Sequence, residues 1–393
     1  MSKILLISHY VPPVSYGGPI VLYRLFKSLP KNLYAIFTSM PAKNVPIDPA
    51  MTLPGAYHYS CAISPTLPYT RLRAFWEWLL IPCMIIQCLV VIKKEKIGKI
   101  IVCPSSGTFL LMASVVSVIW GIPLYLYMLD LFEENKISFL RRFFSGPIEH
   151  MAMKIARGIF VMSETMKEHY FQKYNLKTTL LRHPFDKKNV SLETKKDMVH
   201  KRRTYKIIYT GMIYEAQLDA IINLSQAVRQ IPQVEFHVYT PRGEKFLNEK
   251  GVIGGNNIFY HGFLNSKNMP TIQKDADILF LPMAFKNHYP EIIKTASPVK
   301  LAEYLSSGRP ILVHAPAYAY ISWYARKYGW GIVVDRPVVP ELREAILKLI
   351  SDVNLQRVLI EKAQETALMH DTEQVLRVLK EKLDLTVSDA VHG

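Results

Sequence analysis

Short apolar runs and amphipathic segments alternate along the first half of the chain. Residues 3–8 (KILLIS) are almost continuously apolar, which is typical of a strand buried on both faces of a parallel sheet. Similar runs predict strands at 34–38, 100–103, 124–128, 158–162 and 179–181, with helical patterns between most of them. Strands that alternate with helices in this way indicate βαβ units and a doubly wound lobe over residues 1–185.

The same pattern begins again after a polar stretch at 186–204, which is rich in charge and suits a linker. Beyond it the apolar runs predict strands at 206–210, 235–239, 258–261, 278–282, 310–314 and 331–334. We therefore expect a second Rossmann-like lobe over 205–365, followed by a helix over 366–393. The predicted fold class is α/β, with two doubly wound lobes facing across a cleft that holds the active site.

One longer apolar run, at 78–92, has basic residues on both sides. It contains 15 uncharged residues, whereas a helix that spans a bilayer needs about 20. Pro82 interrupts the run early, and Lys93, Lys94 and Lys96 follow it directly. The run therefore predicts either a buried helix of the first lobe or an interfacial helix at a membrane surface.

The chain is strongly basic, with a formal net charge of +16 over 393 residues. Most of the excess lies in residues 1–190, which contain 22 lysines and arginines against 10 acidic residues. This bias either keeps the protein soluble or favours an anionic partner, such as a phosphorylated acceptor or an anionic membrane surface. Nucleic acid is not expected, because the sequence shows no recognisable motif for binding it and no long basic run.

Cysteine usage and the N-terminus indicate the compartment. The four cysteines show no metal-binding spacing, and the N-terminal MSKILLIS lacks the features of a signal peptide. We expect a reduced, cytoplasmic protein without a structural metal site.

The segment SPVKLAEYLSSGRPILV at 297–313 carries the strongest candidate chemistry. Ser297 is a good helix N-cap and Pro298 suits the first turn, so a helix is predicted to begin here. The free backbone N–H groups of a helix N-terminus favour an anion such as a diphosphate. Lys300 opposes the helix dipole in that turn, which an anionic ligand would explain. Glu303 lies one turn further, within reach of the hydroxyls of a nucleotide ribose.

This segment resembles the donor-binding signature of a large bacterial glycosyltransferase family of the GT-B fold, whose members carry an E-x7-E pattern. Glu303 matches the second glutamate, which holds the nucleotide ribose in that family. The position of the first glutamate is Thr295 here, and Glu291 is a candidate to replace it as a sugar contact. The resemblance implies a donor-binding set that consists of Ser297, Pro298, Val299, Lys300 and Glu303.

Gly211, directly after the predicted strand 206–210, resembles the glycine turn at which the family's backbone approaches the donor phosphates. Family members often place an arginine and a lysine shortly after this glycine. Met212, Tyr214 and Gln217 follow it here instead. The departure leaves the charge of the diphosphate to be met by other groups.

Two further donor-binding candidates lie in the second half. Arg242, in the turn YTPRG, could meet phosphate charge, and Phe263 belongs to a segment that resembles the family's strand-turn facing the base. Asp275 and Asp277 form a DxD pair, but they directly precede a predicted strand, which favours a structural role over metal binding. In the GT-B fold the last helix crosses back to the first lobe, which we expect of residues 366–393.

Four residues of the first half are candidates for the other side of the cleft. Gly17 and Gly18 lie between the first strand and the first helix, where glycine lets the backbone approach a phosphate or a reacting sugar. His9 belongs to the same loop. Asp130 ends the predicted strand 124–128, where it could orient or deprotonate an acceptor hydroxyl, or cap the next segment. The loop is not GxGxxG and no acidic residue ends the second strand, which argues against a dinucleotide-dependent dehydrogenase.

The resemblance implies a glycosyltransferase that moves a sugar from a nucleotide-diphosphate donor to an acceptor hydroxyl with retention of configuration. Asp130 and Lys300 are the catalytic candidates, and no cofactor or metal is required, because Lys300 and the helix terminus would stabilise the leaving diphosphate. We expect a glycan or lipid-linked acceptor, and a protein attached peripherally to the inner face of the membrane. Two alternatives stay open, a non-catalytic nucleotide-sugar-binding scaffold and a GT-B sugar-nucleotide epimerase.

Overall fold

The computed structural model of the protein divides into two compact units, each built on one parallel sheet. The first unit comprises Met1–Pro184 and Thr372–Gly393, and the second comprises Phe185–Asp371. The residues that the structure describes are 3–40, 47–63, 71–132, 139–186, 204–262 and 268–385. Most of the predicted linker at 186–204 lies outside these ranges.

The first unit contains a seven-stranded sheet. Its strands are β1 (Lys3–Ser8), β2 (Tyr34–Ser39), β3 (Ala56–Ser60), β4 (Ile97–Cys103), β5 (Leu124–Met128), β6 (Gly158–Val161) and β7 (Thr179–Leu180). They lie in the order β3-β2-β1-β4-β5-β6-β7, and all neighbouring pairs are parallel. The chain thus winds outward in both directions from the β1–β4 pair, which is the doubly wound arrangement.

Helices connect these strands and cover the sheet. They are α1 (Gly18–Phe26), α2 (Arg71–Leu79), α3 (Ile81–Glu95), α4 (Gly107–Trp120), α5 (Phe139–Ile155) and α6 (Glu164–Tyr174), with a 3₁₀ turn at Pro49–Met51. Strand β1 is buried from Ile4 to Ser8, as expected for a strand covered on both faces. The core on one face of the sheet includes Met84 and Cys88 of α3 and Phe109 of α4.

The second unit repeats the plan with six strands. They are β8 (Tyr205–Thr210), β9 (Val234–Tyr239), β10 (Ile258–Tyr260), β11 (Ile278–Pro282), β12 (Ile311–His314) and β13 (Gly331–Val334). Their order is β10-β9-β8-β11-β12-β13, again with parallel neighbours. The winding reverses between β8 and β11, so a ligand crevice is expected at the carboxyl ends of this pair.

The second unit's helices alternate with its strands. They are α7 (Leu218–Arg229), α8 (Glu244–Glu249), α9 (Met269–Asp275), α10 (Pro290–Thr295), α11 (Leu301–Ser306), α12 (Tyr320–Tyr328), α13 (Val339–Ser351) and α14 (Val353–Ala367), followed by a 3₁₀ turn at Leu368–His370. The next helix, α15 (Thr372–Lys382), belongs to the first unit and contacts α1.

The predicted fold class is confirmed. Strands β1, β5, β11 and β13 have the bounds that the apolar runs predict, and the bounds of the other predicted strands shift by one to three residues. Strand β3 (AYHYS) was missed, because it lies at the edge of its sheet and carries polar and half-exposed residues in place of an apolar run.

The apolar run at 78–92 does not form one helix. Helix α2 ends at Leu79 and α3 begins at Ile81, with Pro82 in the first turn of α3, where proline is tolerated. One face of α3 is buried in the core and the opposite face is exposed. None of the helices within the described ranges is long and apolar enough to cross a bilayer.

Candidate functional site

The carboxyl end of β8 holds Gly211 and Lys300 in contact. Gly211 follows β8 directly with φ 121°, a backbone conformation that favours glycine. A Cβ atom at this position would lie 2.9 Å from Lys300 Nζ. A side chain here would displace the ammonium group of Lys300, and the positive φ already favours glycine.

Lys300 is surrounded by protein in a way that disfavours its charge. Burial lowers the pKa of Lys300 to about 7, and Glu303 acts in the opposite direction. Its Nζ lies 3.8 Å from the centroid of the Tyr209 ring, whose face also attracts a cation. Near neutral pH the side chain is therefore poised between its two forms, and an anionic ligand would favour the charged one.

The helix that follows begins later than the sequence predicts. Helix α11 starts at Leu301 and has six residues, so Ser297 is not its N-cap and that prediction is wrong. Pro298 disfavours a helical conformation at Ser297, and a turn closed by Leu301 N donating to Pro298 O (2.9 Å) precedes the helix. Pro298 and Val299 are half-buried in this connection. Lys300 is itself the N-cap of α11, so the candidate anion site consists of Lys300 and the segment before it.

Ser297 has a different feature that suits a ligand. Its hydroxyl oxygen is buried and has no hydrogen-bond partner among the described residues. Buried hydroxyls are normally hydrogen-bonded, because leaving one unpaired costs about 1–3 kcal/mol. Ser297 therefore fits the predicted donor-binding set by its unused oxygen and not as a helix cap.

Glu303 lies in the first turn of α11 and is held by a residue that the sequence did not reveal. Gln273 of α9 is 2% exposed, and its Nε2 donates to Glu303 Oε2 (3.1 Å) and to Thr210 Oγ1 (3.4 Å). Thr210, at the end of β8, also donates its backbone N–H to the Tyr304 hydroxyl (3.0 Å). Because these bonds tie α9, α11 and β8 together, the Glu303 carboxylate has a fixed place beside Gly211.

Replacing Gln273 with alanine should free the Glu303 side chain and weaken binding of a nucleotide sugar by about fivefold, the effect of one hydrogen bond worth about 1 kcal/mol. Calorimetric titration measures this. If the substitution acted only on the structure, it would weaken binding of the 2′,3′-dideoxy nucleotide by the same factor. We expect the loss only for ligands with ribose hydroxyls, and equal losses for both ligands would contradict a positioning role.

An aromatic platform lies beside the same glycine. The backbone N–H of Gly211 donates to Tyr239 O (2.9 Å), and the Tyr239 ring stacks on His261 with centroids 4.3 Å apart and planes at 11°. These rings stand where β9 and β10 end. Sequence analysis did not single them out, because neither forms a motif on its own.

Two of the predicted donor residues make their described contacts elsewhere in the second unit. Arg242 is exposed, and its guanidinium carbon lies 3.8 Å from the centroid of the Phe246 ring of α8. Glu291 pairs with Lys294 at 3.8 Å in α10. Phe263 lies outside the described residues.

The aspartates of the DxD pair are both engaged with Lys206. Asp275 accepts from Lys206 Nζ (2.7 Å), and Asp277 accepts from its backbone N–H (2.8 Å). Across the described ranges, no group of three or more histidine, cysteine, aspartate or glutamate side chains could hold a metal ion.

In the first unit, Gly18 lies next to the strand end that carries Asp130. A Cβ at Gly18 would lie 2.9 Å from Leu129 Cδ1, and Gly17 before it has φ 60°. Asp130 is solvent-exposed, but the protein atoms around it remove part of its hydration, and this desolvation raises its pKa to about 6. A carboxyl group with this pKa can accept a proton near neutral pH.

His9 has a local role in the structure. It is buried, it stacks on Phe109 with centroids 4.8 Å apart, and its Nε2 lies 3.1 Å from Ile63 O. These contacts fix the loop after β1.

Comparison with known proteins finds one matching family and several similar folds. Residues 204–352 match the family described as glycosyl transferases group 1. No curated protein matches the sequence significantly. The chain is similar in fold to sucrose-phosphate synthase from Thermosynechococcus elongatus, with a TM-score of 0.75 at 15% identity over 98% of both chains.

Two further solved structures are similar over their whole length. Anabaena HepE in complex with UDP-glucose has a TM-score of 0.71 at 15% identity, over 98% of this chain and 100% of that one. WaaG, a glycosyltransferase involved in lipopolysaccharide biosynthesis, has a TM-score of 0.65 at 14% identity with the same coverage. These neighbours confirm the predicted GT-B fold. The match to the glycosyl transferases group 1 domain supports the predicted transferase.

Proposed function

We propose that the protein transfers a sugar from a nucleotide-diphosphate donor to an acceptor hydroxyl, and that the second unit binds the donor. The observation that carries this proposal is the meeting of Gly211, Lys300 and Glu303 at the carboxyl end of β8, inside the glycosyl transferases group 1 domain. A backbone without a side chain and a cation suit a diphosphate, and a fixed carboxylate suits the hydroxyls of the ribose joined to it.

The diphosphate would lie against Gly211 and Lys300. The missing side chain at Gly211 lets phosphate oxygens approach the backbone, and the ammonium group of Lys300 is directly adjacent. Ser297 offers a buried hydroxyl that has no partner among the described residues. The ribose hydroxyls would then donate to Glu303, which Gln273 holds in place.

The Tyr239–His261 stack supports a flat base beside the phosphates, because aromatic rings stack on nucleobases. HepE is a fold neighbour that binds UDP-glucose, so UDP-sugars are the first donors to test. The resemblance of the 297–303 segment supports retention of anomeric configuration. In such a reaction, positioning and stabilisation of the leaving diphosphate by Lys300 account for the rate, and neither a metal nor an inverting base is required.

The acceptor side is proposed for the first unit. Asp130 combines solvent access with a raised pKa, so it could orient an acceptor hydroxyl or take up its proton. A lipid-linked or cell-surface glycan precursor is the acceptor class we propose, which would place the protein on the inner face of the membrane. The fold neighbour WaaG is involved in lipopolysaccharide biosynthesis, which supports an acceptor of this kind.

One observation favours a second candidate, a non-catalytic nucleotide-sugar-binding scaffold. The loop after Gly211 exposes Met212 and Tyr214 where related transferases place basic residues. An epimerase of the same fold is the other alternative.

A donor screen separates these functions. The protein is incubated with UDP-, GDP- and TDP-sugars, and the products are followed by chromatography and NMR. A transferase consumes one donor slowly even without acceptor, and releases sugar and nucleoside diphosphate in equal amounts. An epimerised sugar would identify the epimerase, whereas binding without consumption of any donor would leave only the scaffold.

A further inference from the structure

The first unit exposes a set of large apolar side chains on two consecutive helices. We name this set the apolar stripe, and it consists of Phe75, Trp76, Leu79, Ile86 and Val90. Each of these residues is between 51% and 63% exposed. Trp78 does not belong to it, because that ring is half-buried and packs against Phe144 with centroids 5.0 Å apart.

The stripe continues along one face of α3. Cys83, Ile86 and Val90 are exposed at intervals of three and four residues, which places them on the same side of a helix. The opposite side, including Met84 and Cys88, is buried in the core of the unit. Helix α3 therefore has two apolar faces, and the core covers only one of them.

The surroundings of the stripe are positively charged. Lys93, Lys94 and Lys96 are exposed at the end of α3. The acidic groups of α2 and α3 are paired internally. Glu77 accepts from Arg73 Nε (2.8 Å), while Glu95 pairs with Lys3 and with His58. The local field is therefore basic beside an apolar surface.

We propose that the apolar stripe inserts into the headgroup region of an anionic lipid bilayer, with Lys93, Lys94 and Lys96 against the lipid phosphates. Several large apolar side chains exposed on consecutive helices indicate an interaction site, and aromatic side chains such as Trp76 favour the interface of a bilayer. Lysines beside such a surface bind anionic lipid. A second copy of the chain fits less well, because a two-fold contact through the stripe would bring two basic surfaces face to face.

This surface does not depend on the donor chemistry, so its test is separate. The full chain is mixed with vesicles of phosphatidylcholine alone, or of phosphatidylcholine with phosphatidylglycerol, and sedimented at low and high salt. Binding should require phosphatidylglycerol and weaken with salt. The double variant Ile86→Ser/Val90→Ser should lower the partition coefficient about tenfold or more. Lys93→Gln and Lys94→Gln should each lower it about fivefold.

The matched control is Val353→Ser/Val358→Ser, which removes two exposed valines from α14 of the second unit. It should bind vesicles as the unchanged protein does. The emission of Trp76, obtained as the difference from the Trp76→Phe variant, should shift to the blue on binding. Equal binding by the Ile86→Ser/Val90→Ser variant and the control would overturn the proposal. So would the absence of binding by the unchanged protein, or a dimer in solution that this variant abolishes.

Discussion

Replacing Lys300 with alanine is expected to lower kcat about 100-fold or more, with a much smaller change in the donor KM. The diphosphate gains charge as the bond to the sugar breaks, so a cation beside it stabilises the transition state more than the bound donor. Lys300 is placed for this role, because its Nζ lies against the bare backbone of Gly211. Steady-state kinetics with the active donor measure the effect.

The matched control is Lys348→Ala, which removes an exposed lysine from the last turn of α13 in the same unit. Its kcat and KM should stay close to those of the unchanged protein. If Lys300→Ala raised only KM, Lys300 would be a ground-state contact of the donor and not a catalytic group.

The pH dependence of kcat/KM should report the protonation state of Lys300. Burial lowers the pKa of Lys300 to about 7, so the side chain loses its proton as the pH rises through this value. Since the charged form is the active one, kcat/KM should fall above pH 7, by at most about tenfold per pH unit. The residual activity of Lys300→Ala should lack this decline.

Replacing Glu303 with alanine should weaken donor binding about 10- to 150-fold while the fold persists, since hydrogen bonds to a charged group contribute about 1.5–3 kcal/mol. The carboxylate is fixed by Gln273 beside the end of β8, so it is ready to accept from both ribose hydroxyls. Calorimetric titration with the active nucleotide measures the loss, and circular dichroism reports the fold.

The 2′,3′-dideoxy nucleotide serves as the control ligand for this prediction. It should bind the unchanged protein and Glu303→Ala with similar, weak affinity, because it offers no ribose hydroxyls. Unchanged affinity of a folded Glu303→Ala protein for the complete nucleotide would remove Glu303 from the ribose site. Glu291→Ala, in the same titration, tests whether Glu291 replaces the family's first glutamate.

The sheets could be predicted from the sequence because parallel strands buried on both faces consist of continuous apolar runs. Continuous apolar runs such as 124–128 and 278–282 coincide with β5 and β11. Strand β3 has no such run, because an edge strand with half-exposed residues does not need one. The interruption that Pro82 predicts within the run at 78–92 is observed at Leu80, because proline is tolerated in the first turn of α3 and not further inside a helix.

Site residues that belong to a local sequence motif could be predicted. Residues whose role depends on tertiary contacts could not. Lys300 and Gly211 could be named from a local motif, and the structure brings them together. The role of Gln273 depends on α9 packing beside β8 and α11, which no spacing along the chain reveals. The prediction that Ser297 is a helix N-cap is wrong, because good capping residues do not fix where a helix begins when Pro298 follows.

The most direct test of the central claim is a crystal structure of the protein with UDP bound. We predict that the diphosphate lies within hydrogen-bond distance of Lys300 Nζ and the Ser297 hydroxyl. The ribose hydroxyls should donate to Glu303, and the base should lie on the side of Gly211 where Tyr239 stacks on His261. A nucleotide bound elsewhere, with Lys300 and Glu303 both out of contact with it, would contradict the assignment of the donor site.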